Sequence, residues 1–193
     1  MKTNLAAFNT GGYYAGPRWK VLAWYFCNYY ILYSAFPWPF ALKRALLRLF
    51  GARIGKGLVI KTRVRIKYPW RLTIGDHCWL GEDVWIDNLA DVTIEDHVCI
   101  SQGALLLTGN HDYKQPDFPY RLGEIHIASG VWIGAMAVVC AGVTCGSHAV
   151  LTVNAVASKD LMPWWIYSGN PAVAVRKREI AGAPVKVLNA AAI

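Results

Sequence analysis

From Ile54 onward an aliphatic residue returns every six positions, a period that excludes most structures open to a chain of this size. The series runs Ile54, Ile60, Ile66, then Ile74, Leu80, Ile86, then Ile94, Ile100, Leu106. It resumes at Ile127, Ile133, Val139 and continues through Cys145, Leu151 and Ala157. Thirteen of these fifteen positions are Ile, Leu or Val, more than the 55% hydrophobic composition alone explains. A helix would bring the next apolar residue after three or four positions, and a half-buried strand after two. Six residues suit one short strand and a turn, three such units closing a triangular coil with the aliphatic side chain inside. Stacked parallel strands lie about 4.8 Å apart, so five coils make a prism roughly 24 Å tall. Glycine follows the aliphatic position at Gly55, Gly75, Gly81, Gly134 and Gly146, where a turn would strain a side chain.

Two stretches, IGDHCWLGEDVW and VWIGAMAVVCAGVTCGSH, resemble the hexapeptide repeat of left-handed parallel β-helix acyltransferases. The likeness covers roughly residues 51–180. LLRLFGARIGKG, ISQGALLLTGNHDY and YSGNPAVAVRKR are similar to colanic-acid-type exopolysaccharide O-acetyltransferases, and more distantly to galactoside, maltose and nodulation-factor enzymes. The resemblance implies an all-β fold: a left-handed parallel β-helix of about five coils, with an N-terminal helical segment and a short C-terminal tail or helix. The corresponding ranges are 1–50, 51–168 with a loop over 107–124, and 169–193. The left hand rests on the resemblance, because parallel crossovers are ordinarily right-handed.

The repeat breaks between Leu107 and Glu124, and a structureless excursion of that length in a solenoid is often functional. Thr108-Gly109-Asn110-His111-Asp112-Tyr113 opens it. Acetyl transfer to a hydroxyl needs a base for the proton and a donor for the thioester oxyanion. The family likeness gives the base role to His111, by direct attack and without an acyl-enzyme. It also implies acceptor contacts from Asp87, Asn88, Asn110 and Asp112; for Asp87 and Asn88 a turn-forming role is equally open. Acetyl-CoA, as co-substrate, is expected on Trp132, Gly134, Ala135, Ser158, Lys159 and Arg176. A solvated basic surface is the alternative for Lys159 and Arg176. His77, His97, His126 and His148 fall on repeat positions and are read as structural. The five cysteines include no CxxC pair, and no metal is expected.

Charge is segregated along the chain. Residues 1–75 hold thirteen Lys/Arg and no acid, and fourteen of the twenty-five aromatic residues lie within 1–50. Residues 21–42 carry no charge, yet include Pro37, Pro39, Asn28 and many Trp and Tyr. Three readings stand: a helical hairpin lying on a membrane, a true span, or helices covering the end of the prism. An interfacial hairpin would suit a saccharide acceptor carried on lipid at the cytoplasmic leaflet. Bases interleaved with apolar runs do not form a nucleic-acid groove. The likeness further implies a homotrimer whose interfaces complete the site. Another acceptor on the same fold, such as an amino sugar, a nucleotide-sugar or serine, and a non-enzymatic scaffold are the competing functions.

Overall fold

The computed structural model describes residues 2–180. Short strands joined by sharp turns wind into a three-sided prism. The first face stacks Arg53–Ile54, Leu72–Ile74, Val92–Ile94, Ile125–Ile127 and Thr144–Cys145. The second runs from Val59–Ile60 through Trp79–Leu80, Cys99–Ile100, Trp132–Ile133 and Val150–Leu151 to Trp165–Ser168. The third stacks Arg65–Ile66, Trp85–Asp87, Leu105–Leu107, Val138–Val139 and Val156–Ala157. Coil-to-coil pairing is parallel throughout, giving five complete coils and the start of a sixth. Register places Ile54, Ile74, Ile94, Ile127 and Cys145 in one inward column, so the six-residue series is the core. Ile60, Ile66, Leu80, Ile86, Ile100, Leu106, Ile133 and Leu151 are 0% exposed. Each such burial is worth roughly 1.5–3 kcal/mol, which makes these columns the main stabilising contribution.

Two of the three corners are alike. The third residue after each inward aliphatic adopts a left-handed conformation, as at His77 (φ 55°), His97 (φ 57°) and Asn154 (φ 58°). His and Asn tolerate that region better than most side chains, and the rings of His77 and His97 stack at 5.4 Å. The remaining corner, between the third and first faces, carries every insertion. It is a 3-10 turn at Pro69–Arg71 in the first coil and a longer excursion after Leu107 in the third.

The first coil has an open edge, which a sheet must cover or pair. Helix α1 (Arg18–Cys27) continues into a π turn at Asn28–Leu32, and after a bend helix α2 spans Phe40–Leu49. Their inner side chains answer the edge group by group. Trp24 Nε1 donates to Ile66 O at 2.8 Å, and Asn28 Oδ1 accepts the Ile66 N–H at 3.3 Å. Lys43 Nζ donates to Ile60 O at 3.1 Å and Lys61 O at 2.7 Å, and Arg44 to Leu58 O at 2.9 Å. Arg48 donates to Ile54 O at 2.8 Å and Gly55 O at 3.0 Å. Three of the thirteen bases in residues 1–75 thus cap the edge of the prism, above all Lys43, which is 1% exposed. No helix among the described residues is long and apolar enough to cross a membrane.

At the other end the chain turns at Gly169 and doubles back as Val173–Lys177, antiparallel to Trp165–Ser168. A strand thus follows the last turn, where a helix was one expectation; residues 181–193 lie outside the described residues. Glu95 clasps the coils across the third-corner insertion, accepting from Ser129 N at 2.9 Å and Ser129 Oγ at 2.8 Å and pairing with His126 Nε2 at 2.7 Å. The Ser129 and His126 hydrogen bonds hold its carboxyl below the ordinary 4.5. A depressed carboxyl stabilises the fold above its ordinary value, and that contribution disappears as pH falls through the folded value. Its side chain is 42% exposed, so solvent screening keeps the effect small. Thermal melts of the wild type should show this loss on acidification below about pH 4.5, and Glu95→Gln should flatten that part of the profile.

Candidate active site

The excursion after Leu107 is a β-hairpin rather than a structureless loop. Gly109–His111 pairs antiparallel with Tyr120–Leu122, His111 opposite Tyr120. Its base is built by Thr108, which is fully buried: Oγ1 donates to Asp87 O at 3.0 Å and accepts the Ala90 N–H at 3.0 Å. Gly109 lets the Leu89 side chain approach closely, since a Cβ there would meet Leu89 Cδ1 at 2.7 Å and push that side chain aside. The Thr-Gly before the histidine thus fixes where the hairpin leaves the prism.

His111 Nδ1 lies 2.8 Å from Phe118 O. A carbonyl can only accept, so the hydrogen-bond geometry assigns the proton of the neutral ring to Nδ1 and leaves the lone pair on Nε2. No protein partner for Nε2 occurs among the described residues. Phe118 stacks on the imidazole at 4.5 Å and Tyr120 lies at 5.1 Å, so two aromatic rings pack against it. Phe118 itself takes a left-handed φ of 51°, an uncommon conformation for an aromatic residue.

A third wall comes from far away in sequence. The chain before α1 runs along the same corner, with Asn4 N donating to Pro116 O at 2.7 Å. Tyr13 Oη donates to Leu89 O at 2.9 Å, and Trp70 Nε1 donates to Ala15 O at 2.8 Å. Phe8 lies 5.7 Å from the His111 ring and 5.5 Å from Tyr120. Burial pushes the Tyr13 hydroxyl up to about 12, keeping it a neutral donor. Sequence reading missed Thr108, Phe118, Tyr120 and this strap. The only signal was the clustering of aromatic residues in both segments, which spacing cannot pair.

The other expected acceptor residues fall into different environments. Asn88 is fully buried, accepting the Tyr68 N–H at 2.9 Å and donating to Tyr68 O at 2.7 Å and Arg71 O at 3.2 Å. Its amide closes the corner of the coil below, which is the turn-forming role that stood open for it beside acceptor contact. Asp87 is 9% exposed and lies 2.8 Å from Lys67 Nζ, close enough for charge pairing although its Oδ1 meets no hydrogen-bond geometry. Asn110 is exposed, its Oδ1 accepting the His111 N–H at 2.8 Å. Asp112 accepts from Gln115 Nε2 at 3.0 Å and Lys114 N at 3.1 Å, contacts that shape the hairpin turn and lower its carboxyl below the ordinary range.

The expected coenzyme residues divide between two sides of the prism. Ser158 and Lys159 are exposed at the corner that bears the hairpin, two coils further on. Trp132, 47% exposed, points outward from the second face with Nε1 donating to Ser101 Oγ at 2.9 Å. Arg176 is exposed on the strand that extends that face, opposite Ile166. A triangle's face lies opposite the corner joining the other two, so one chain keeps these sets apart. Ala135 is half-buried at the turn between the second and third faces. Gly134 lies against the next coil: its N–H donates to Leu151 O at 2.7 Å, and a Cβ would meet Thr152 C at 2.7 Å. It is a packing glycine with its amide already engaged. Among the described residues no three His, Cys, Asp or Glu gather as a metal site.

No family model matches the chain. It is 39% identical over 171 residues to the putative colanic acid biosynthesis acetyltransferase WcaF of Escherichia coli K12, covering 86% of this chain and 92% of that protein. It is 32% identical over 142 residues to nodulation protein L of Rhizobium meliloti, covering 72% and 75%. Among solved structures, the hexapeptide-repeat acetyltransferase VCA0836 of Vibrio cholerae complexed with acetyl-coenzyme A superposes with a TM-score of 0.69 at 27% identity, covering 74% of this chain and 80% of that one. A galactoside acetyltransferase in complex with coenzyme A shares the fold at a TM-score of 0.75 and 23% identity, covering 83% and 81%.

Proposed function

The chain belongs to the hexapeptide-repeat acetyltransferases, and we propose that it moves an acetyl group from acetyl-CoA to a saccharide hydroxyl in exopolysaccharide synthesis. One observation carries the reading. The histidine at the hairpin is held by Phe118 O in the tautomer that leaves Nε2 able to accept a proton. In this reading Nε2 takes the hydroxyl proton as the acceptor oxygen attacks the thioester carbonyl. It then returns that proton to the sulfur as the C–S bond breaks, so the coenzyme leaves as its thiol and the imidazole is again neutral. Asn110 and Asp87 border the acceptor; Ser158, Lys159, Trp132, Ala135 and Arg176 border the coenzyme, with Lys159 and Arg176 toward its phosphates. Labelled acetyl-CoA with a panel of saccharides, an amino sugar and serine tests this. Acetyl on a sugar oxygen is expected, and label confined to nitrogen would refute it.

The chemistry of the three faces supports a trimer. Outward positions on the first face are Arg53, Thr73, Thr93, His126 and Thr144. The second face presents Val59, Trp79, Cys99, Trp132 and Val150, and the third Arg65, Trp85, Leu105, Val138 and Val156. Two different apolar faces and one polar face fit a closed head-to-tail ring, in which unlike patches meet at every interface. Met136 and Val153, 59% and 62% exposed at the corner between the apolar faces, would then line the axis. Packing the third face of one subunit on the second of the next brings the His111 corner toward a neighbour's Trp132 and Arg176. Light scattering should give a trimer, and Val138→Asp should lower the mass toward a monomer with loss of activity. A fully active monomer would refute the shared site.

A further inference from the structure

We infer that the outward side of α1 and its π turn is a docking surface for an anionic lipid bilayer. The inward side of this helix packs on the prism through Trp24, 2% exposed, and Leu32, 0% exposed. The outward side of an ordinary surface helix is polar. Here it presents Trp19, Leu22, Tyr25, Phe26, Tyr29 and Tyr30, each between 53% and 71% exposed. At 3.6 residues per turn they fall within roughly 140° of arc, one continuous strip rather than scattered apolar residues.

Two features commit the strip to lipid. Its composition is that of a membrane interface, where Trp and Tyr rings lie at headgroup depth with the apolar edge inward. Its charge is of one sign. Arg18, exposed, occupies the first turn of α1 beside Trp19. It has no ion-pair partner among the described residues, and residues 1–75 contain no acid. A free cation at the head of an aromatic strip, with no acid near it in sequence, complements phosphate headgroups. A second copy meeting the strip face to face would bring the same positive charges together, which opposes self-association. The helix is too short to span, so the contact is interfacial. The surface goes beyond acetyl transfer and does not depend on it.

The test uses the full chain, because removing residues 1–49 would also uncover the first coil. Co-sedimentation is measured with vesicles of phosphatidylcholine alone and of equal parts phosphatidylcholine and phosphatidylglycerol, at low and high salt. The protein should bind the acidic vesicles, bind neutral ones at least about fivefold less, and lose binding severalfold in high salt. The exposed triple variant Trp19→Ser, Tyr25→Ser, Tyr29→Ser should keep its melting temperature and lose binding about tenfold or more. Brominated acyl chains should quench the wild type's tryptophan emission, a reading that requires no variant to fold. Failure to bind acidic vesicles, equal binding by the folded triple variant, or absence of quenching would overturn the proposal. So would a triple variant that changes the oligomeric mass while the wild type ignores lipid, since a second copy would then cover the strip. None of these results bears on acetyl transfer measured with a soluble acceptor, so the two readings fail separately.

Discussion

His111→Ala is expected to lower turnover with a saccharide acceptor by roughly two to four decades, the usual worth of a positioned general base. The imidazole contacts in this structure are Phe118, Tyr120 and Phe8, all aromatic, with one hydrogen bond to a backbone carbonyl. Truncation therefore removes the proton acceptor without stranding a buried charge, and the hairpin keeps its ladder from Gly109 to Leu122. Binding of coenzyme A, followed by calorimetry, should change by no more than about twofold. The remaining rate would come from holding donor and acceptor together, which survives the substitution. A variant with near-normal turnover would place the base elsewhere. Loss of coenzyme binding in step with turnover would make the residue structural.

Lys43→Ala should cost about 2–4 kcal/mol of stability. The ammonium is buried against the first coil and serves two carbonyls, Ile60 O and Lys61 O, that have no coil beneath them. Leaving buried carbonyls without a donor costs about 1–3 kcal/mol each, and the lost side chain adds a cavity. Burial lowers the Lys43 ammonium below its ordinary value of 10.5, which shows that the site disfavours charge and that the carbonyls retain it. For a chain of this size a change of that order lowers the melting temperature by about 5–15 °C. Lys43→Met separates the two contributions, since it fills the space without donating. A melt unchanged in both variants would mean that α2 does not cap the edge.

The prism was legible because its signal is local and repeated. Each inward aliphatic at the sixth position needs only the turn beside it, and the register columns from Ile54 to Cys145 follow directly. The position of His111 was legible as the place where that period fails. What the sequence does not reveal is long-range and unrepeated. Phe8 reaches His111 across more than a hundred residues, and Trp24 reaches Ile66 across a distance of 42. Asn88 reads as a polar break near the site, yet its partners are Tyr68 and Arg71 in the coil below, a pairing visible only once the coils stack. The basic N-terminal third misleads for a physical reason. A Lys or Arg looks the same in sequence whether its head meets water, lipid phosphate or the bare carbonyls of a sheet edge.

The central claim is an acetyl-transfer site built from His111 of one subunit and the second face of the next. It is tested most directly by mixing two inactive variants in equal amounts through unfolding and reassembly, then measuring acetyl transfer to the acceptor found in the panel. One is His111→Ala; the other is Trp132→Ala with Arg176→Ala. Random trimers place an intact histidine beside an intact second face at about one interface in four, so the mixture should recover about a quarter of wild-type activity. A mixture no more active than its two components would contradict a site shared between subunits, and full activity of His111→Ala alone would contradict the chemistry assigned to it.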